Sequence, residues 1–577
     1  MAQLLNQVSG SIKFILMKKI FLLLLVLFSL KLFSQEKALI KDFNKIHQEK
    51  IFIHLNANFL LTGETLLYKL SCLHKLSNKY SQLSKIIYIE IINDKKERVE
   101  LQKINLIKGK AQGDFFIRNS LKSGNYKVIS YTKWMKNKNL FTASDLYIIN
   151  PFQTKIKKST DAITLNTNNY QTNSVNTTNN AITLSKKKYS KREKVSFKIN
   201  LGKANISSNN LSLSVRKIDN QFYSKKKNSS AFLQEKNPAG VLNSSTNIIP
   251  DLRGDVLKGQ ITSKSIDKSV ENIKISLSII QKNGFSLISN TDKNGYFYFI
   301  LDDFRTTERV YFQLIDANIN DYKITLDKEH KLNFDHLSFK KLNTNNLLDT
   351  LIDKRSTYIQ VENAYKNLKR DQIILEKSTG TFTSANFKNY KLDNFTRFKT
   401  MKETMVEVIP YSGISTSKGE ATFHVNQTNS QSNSLPMLLI DGLIIKNHNE
   451  LASLKMSLVD EIDISHHVFK FNSILYKGVI SVNTYSGEYE PKSKELFSIN
   501  LQKPLPNKKY YFANYSIKKD KITPDFRTQL YWEPNLNSIQ NDVTFYTSDV
   551  SGVFEINIEG FSNTGKPISL KQYFKVE

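Results

Sequence analysis

From residue 51 onward the chain repeats one pattern: runs of four to eight residues rich in Ile, Leu, Val, Phe and Tyr, closed by Gly, Asn, Asp or Ser. Such runs are too short for ordinary helices and suit strands bounded by turns. They fall at 51–55, 65–71, 86–92, 113–117 and 126–131, then at 181–184, 195–199 and 211–215, then at 257–262, 273–279, 285–289, 296–301 and 310–315. A chain written this way buries its apolar side chains by stacking sheets. The expected fold class is mainly β: tandem β-sandwich domains, with one α+β unit near the C-terminus. At 577 residues the chain is too long for a single core. Its 35 Phe and 26 Tyr supply the apolar surface that a disordered chain lacks.

The N-terminal residues read as an address. Met17-Lys18-Lys19 precedes an apolar run over 20–30, and Lys31-Leu32-Phe33-Ser34 follows. A charged start, an apolar stretch too short to anchor in a bilayer and a short exit define a secretory signal peptide. It is expected to span 1–34, with Met17 as the true start and cleavage after Ser34. Cysteine does not follow the apolar run, which excludes lipoprotein processing. Since no later run approaches 18 apolar residues, the exported chain is expected not to be a transmembrane protein. It is placed in the periplasm, at the outer membrane or on the cell surface.

The formal charge is +31, and the four lysines of the first 34 residues account for only a little of it. A basic balance suits nucleic acid, anionic lipid or acidic glycan. The lysine runs 186–188 and 225–227, however, lie in polar stretches without interleaved aromatics for base stacking. Diffuse surface charge and no nucleic-acid partner are therefore expected. The single cysteine, Cys72, excludes an intrachain disulfide and a cysteine metal cluster. It sits in an apolar strand-like run and reads as a small buried hydrophobe.

Three resemblances organise the rest. Lys50-Ile51-Phe52-Ile53-His54-Leu55, the Thr62-Gly63-Glu64-Thr65 turn, and Gly113-Asp114-Phe115-Phe116 followed by Ser123-Gly124-Asn125-Tyr126 resemble an MG2-type macroglobulin domain over 35–152. Residues 153–180 are polar and read as a linker. A second macroglobulin-like unit with a polar excursion is expected over 181–250. In 251–330, Gly259-Gln260-Ile261 and Thr291-Asp292-Lys293-Asn294-Gly295-Tyr296-Phe297 resemble a carboxypeptidase-regulatory-like domain, a non-catalytic sandwich. Asp292-Lys293-Asn294-Gly295 is a tight-turn signal, with too few ligands beyond it for a calcium loop.

Residues 331–402 are expected to form a helical connector, with a helix over 343–372 capped by Asn343-Thr344 and an apolar stripe of Leu348, Leu351, Ile352 and Ile359. Residues 403–490 begin with a strand expected at 406–409. Met437-Leu438-Leu439-Ile440-Asp441-Gly442, then Val459-Asp460-Glu461-Ile462-Asp463-Ile464, then Tyr476-Lys477-Gly478-Val479-Ile480-Ser481-Val482 resemble the plug domain of TonB-dependent receptors, in the same order. Such a plug normally sits in a 22-stranded barrel, which at roughly ten residues per strand needs several hundred residues. Only 87 follow residue 490, and they are expected to form a last β-sandwich over 491–577. The chain is thus expected to carry the plug fold without its barrel.

The function these resemblances imply is non-catalytic. Cys72 is followed by Leu73-His74-Lys75, not by the Gly-Glu-Gln of a macroglobulin thioester, so bait-and-trap chemistry is not expected. H-E-x-x-H, G-x-S-x-G and P-loop motifs are absent from the sequence. His466 and His467 are adjacent, so on a strand they point to opposite faces and cannot readily share a metal. Asp441 and His448 lie near them in sequence, but surface or turn roles suit these residues better. No catalytic residue, cofactor site or metal site is expected. The expected partner is an outer-membrane or periplasmic protein complex: a barrel, or a transport or secretion assembly. Asp441, Gly442, His448, Phe469 and Tyr476 form the candidate contact surface. The alternatives are a glycan or polysaccharide binder, and a protease-binding protein lacking the thioester.

Overall fold

The computed structural model describes residues 48–153 and 181–577, apart from 203–205, 208–209, 220–225, 236–247, 302–306, 341–345, 375–385, 426–433, 473 and 537–541. The expected signal peptide, nearly all of the linker and the Asn343-Thr344 cap lie outside the described residues. The described residues are mainly β, arranged in nine sheets.

Glu49–Leu55, Thr65–His74 and Lys110–Phe116 form a three-stranded antiparallel sheet. Opposite it, Phe59–Leu61, Thr142–Ile149, Gly124–Tyr131, Ile86–Ile92 and Arg98–Asn105 form a five-stranded sheet. Alternate residues of the first sheet, including Ile51, Ile53, Leu66, Tyr68, Leu70 and Cys72, meet Ile87, Ile89 and Val128 in one core. Period-two alternation would leave the other face of that sheet wet. Instead Phe52, His54, Leu67, Lys69, Ser71 and Leu73 are buried as well. A second sandwich lies over them.

That second sandwich is discontinuous in sequence. Its larger sheet runs Lys188–Tyr189, Pro567–Val576, Gly552–Phe561, Leu211–Lys217, Gln529–Leu536, and its smaller sheet runs Asp542–Tyr546, Lys194–Ile199, Ile182–Leu184. Leu211–Lys217 pairs on both sides with C-terminal strands. The units expected separately at 181–250 and 491–577 thus supply one sandwich, with a single core of Val195, Phe197, Leu213, Phe545, Phe554 and Ile556 among others. From the polar excursion, the short helix Ser229–Gln234 places Phe232 between Phe52 and Phe561.

The third sandwich nests inside the second in sequence. Tyr296–Leu301, Asp255–Ser263 and Tyr322–Leu326 form one sheet, and Phe285–Asn290, Lys274–Ile279, Arg309–Leu314 and Phe497–Asn500 form the other. Phe297, Phe299 and Phe312 fill the core. The Asp292-Lys293-Asn294-Gly295 turn forms as expected: the Asp292 carboxylate accepts from the N–H groups of Asn294 and Tyr296, and Gly295 takes φ +78°.

Inserted before the last strand of that sandwich is a mixed sheet, ordered Lys388–Lys391, Val459–Phe471, Ile474–Thr484, Met437–Ile440, Leu443–Ile444. Met437–Ile440 runs parallel to its neighbour, and the other pairs are antiparallel. Residues 406–409, expected as a strand, instead follow the helix Met401–Glu407 or finish it. Thr400 and Glu403 form a reciprocal capping box there, and this local end-signal outweighs two β-branched valines. The helix ends just before Pro410.

The expected helical connector is mixed in character. Its first part, through 340, is irregular and lays Leu332, Phe334, Leu337 and Phe339 on the first sandwich core. The helix Asn346–Ala364 follows, shorter than expected. Ile352 is buried with Phe59, Leu61, Tyr147 and Ile149 of the first sandwich.

Candidate functional site

The Asp441-Gly442 turn was the centre of the expected contact surface, and its geometry shows a different role. Both residues have positive φ, +47° and +88°, which lets Met437–Ile440 reverse directly into Leu443–Ile444. Asp441 is 0% exposed. Its carboxylate accepts from the Thr484 N–H at 2.7 Å, the Thr484 hydroxyl at 2.6 Å and the Tyr489 N–H at 3.1 Å. Burial raises its pKa, while these three donors act against the rise. The Gly442 carbonyl accepts from Ser286 Oγ of the third sandwich at 2.5 Å. A Cβ on Gly442 would overlap the backbone of Gly284 and Phe285. The turn is the seam between two units, so Asp441 and Gly442 are not on a free surface.

His448 opens the helix His448–Ala452, which Asn447 caps. Its Nδ1 accepts from the Phe423 N–H at 3.0 Å, and burial, then His424, lowers its pKa. This ties the helix to the strand Glu420–Val425, so His448 is also structural.

Phe469 and Tyr476 face each other across the hairpin of Val459–Phe471 and Ile474–Thr484. The hairpin extends beyond its sheet partners. Lys388–Lys391 pairs only as far as Ile464, and Met437–Ile440 only from Val479. On one side of this arm, Phe469 stacks on Phe471 at 5.8 Å, and both lie half-buried with Tyr476 against a small cluster that includes Ile288 and Ile315. Burial pushes the Tyr476 hydroxyl up to about 12. The opposite side carries Val468, Lys470, Leu475 and Lys477, with Val468 and Leu475 each 46% exposed. The structure therefore separates the five expected residues: three hold the scaffold together and two brace the arm from its covered side.

Glu64, Arg216 and Arg355 join three units. The Glu64 carboxylate accepts from Arg355 Nη2 at 2.6 Å, Arg355 Nε at 3.1 Å, Arg216 Nη2 at 3.0 Å and the Leu61 N–H at 2.8 Å. Burial alone would raise its pKa, but the two guanidiniums hold it below the usual carboxylate value. Glu64 belongs to the first sandwich, Arg216 to the second and Arg355 to the long helix. Gly63 beside it has φ +89°, and a Cβ there would meet Ile359 at 2.7 Å, so the helix rests directly on this turn. The sequence signal was present in Thr62-Gly63-Glu64-Thr65. Its partners, 152 and 291 residues away, were not signalled.

Among the described residues, no three His, Cys, Asp or Glu side chains are grouped to hold a metal ion, and no helix is long and apolar enough to cross a membrane.

No family model matches this chain, and no curated protein matches it. Solved structures do. Salmonella alpha-2-macroglobulin reacted with methylamine aligns over 92% of this chain and 39% of its own, at 9% identity and TM-score 0.22. Escherichia coli alpha-2-macroglobulin activated by porcine elastase aligns over 92% and 44%, also at 9% identity and TM-score 0.22. A tetra-tandem repeat from the extending region of a large adhesion protein aligns over 92% and 100%, at 7% identity and TM-score 0.13. The chain spans less than half the length of the two macroglobulin chains.

Proposed function

We propose that this chain is an exported, non-catalytic protein of a bacterial envelope, which binds another envelope protein through the arm at 466–477. The observation that carries the reading is the exposed side of that arm. Two half-exposed apolar residues, Val468 and Leu475, alternate with Lys470 and Lys477 on a hairpin that projects past its own sheet. Exposed apolar side chains framed by charge are a recurrent feature of protein contact surfaces. On its covered side, Phe469, Phe471 and Tyr476 pack with Ile288 and Ile315 and hold the arm against the scaffold, so little ordering entropy opposes docking. The macroglobulin-, carboxypeptidase-regulatory- and plug-like motifs of the sequence favour an outer-membrane barrel or its assembly machinery as partner.

The test is an affinity capture from detergent-solubilised outer membranes, with the full chain and a Val468→Asp/Leu475→Asp variant as baits. The expected result is a membrane protein retained by the native chain and lost by the variant. Identical captured sets would refute the assignment. Capture of acidic polysaccharide alone, dissociating with salt, would favour the glycan-binding alternative.

A further inference from the structure

The stacked sheets of the first and second sandwiches do not meet through an ordinary apolar layer. On the facing sides lie His54, Lys69 and Ser71 from one sheet and Ser212, Ser214, Asn557, Glu559 and Lys571 from the other, all but Lys571 buried. Phe52, Phe232 and Phe561 close one part of this layer. Another part opens into a cavity of about 440 Å³, lined by His54, Asn58, Lys226, Asn557, Glu559 and Tyr573 among others. This volume lies within the ordinary range of small-ligand pockets.

The polar groups in it are incompletely matched. Asn557 is 3% exposed, and its Oδ1 has no hydrogen-bond partner among the described residues. Its Nδ2 is engaged with His54 Nε2 at 3.3 Å, and His54 Nδ1 with Ser212 Oγ at 2.7 Å. Lys226 Nζ donates to the Asn56 carbonyl at 3.0 Å and the Leu55 carbonyl at 3.3 Å. Among the described residues its ammonium has no carboxylate within ion-pair distance. Glu559 accepts from the Ser229 N–H at 2.9 Å and Ser569 Oγ at 2.8 Å, and it also lacks a cation partner among them. The neighbouring charges are already paired: Lys127 with Asp145, Lys227 with Glu235, and Lys571 with Glu555.

A buried acceptor without a donor and a cation without an anion each cost free energy that burial does not return. A structural seam would gain by replacing them with apolar side chains. A ligand site keeps them, because the ligand completes them. We infer that this cavity binds a small molecule carrying a carboxylate beside hydrogen-bond donors. The carboxylate meets Lys226, and the donors meet Asn557 Oδ1 and the free lone pairs of Glu559. Amino-acid zwitterions and acidic sugars share this chemistry. The site is separate from the arm, and its test is independent of the partner proposal.

Isothermal titration of the full chain tests the inference with five probes: L-alanine and L-glutamate for the zwitterion, D-glucuronate for the acidic sugar, and acetate and D-glucose as half-matched controls. One of the first two classes is expected to bind saturably and at least about tenfold more tightly than either control. Asn557→Leu and Lys226→Met should each weaken that binding by about tenfold or more, whereas Lys226→Arg should retain most of it. Should Lys226→Met fail to fold, Asn557→Ser, which shortens the acceptor in place, carries the same expectation. Absence of saturable binding by all carboxylate probes would overturn the inference. So would binding that the folded Asn557 variants leave unchanged.

Discussion

Gly284 and Gly442 touch backbone to backbone, one from the third sandwich and the other from the mixed-sheet unit. Two chains approach this closely only where neither carries a Cβ, and Gly442 also takes a positive φ. Gly442→Ala should therefore destabilise the protein by about 2–4 kcal/mol, from backbone strain plus displacement of the opposing turn. Gly419 is the control, with φ +82° and open space around it. Gly419→Ala should cost only about 1–2 kcal/mol. Chemical denaturation of both variants checks the difference, and equal losses would rule out the close approach as the cause.

The Glu64 knot predicts a second asymmetry. Removing the shared carboxylate leaves two buried guanidiniums short of an anion, so Glu64→Gln should cost about 3–5 kcal/mol, and Arg355→Met, which leaves Glu64 paired with Arg216, should cost less. Combining the two should cost less than the sum, because the pair disappears together. The pH dependence follows in sign. Glu64 has a folded pKa below the ordinary value of 4.5. Its contribution is complete above about 4.5 and lost as pH falls through the folded value. Melting temperatures at descending pH should fall less steeply in Glu64→Gln than in the native chain.

Lys69 gives a dependence at the other end of the scale. Burial lowers its pKa from 10.5 to about 7, and its ammonium donates to the amide oxygen of Asn535. Between these values the unfolded chain holds a proton that the folded protein has released. Stability attributable to this group is therefore full above about 10.5 and falls steadily as pH drops to about 7. Lys69→Met should flatten the slope of stability against pH across that window. An unchanged slope would mean that Lys69 remains charged in the fold.

Phe232 tests whether the short helix Ser229–Gln234 fastens the two sandwiches. Its ring lies 5.5 Å from Phe52 and 6.5 Å from Phe561. Phe232→Ala should cost about 3–5 kcal/mol and expose the seam to proteolysis before either sandwich core. Limited proteolysis with mass mapping would detect this. Uniform cleavage would argue against a local seam.

Much of the local structure was legible in the residues. The run Ile86–Ile92 forms with the expected bounds, and the turns at Asp292-Lys293-Asn294-Gly295 and Asp441-Gly442 follow from their composition. The mainly β class followed from the same alternation. The candidate contact surface was only partly legible. Phe469 and Tyr476 do lie on an arm, but the apolar residues exposed there are Val468 and Leu475. A one-residue offset in a strand decides which face is outward, and that face depends on the neighbouring unit.

By itself, the sequence determined the mainly β class and turns such as Asp292-Lys293-Asn294-Gly295, because φ/ψ preference, side-chain alternation and turn chemistry act within a few residues. Tertiary structure alone decided that Leu211–Lys217 lies between Gln529–Leu536 and Gly552–Phe561, and that Lys69 and His54 are covered where alternation would leave them wet. Backbone hydrogen bonds are the same for every strand, so a strand's pattern specifies a face and not a partner. The partner is chosen by which faces fit together across hundreds of residues.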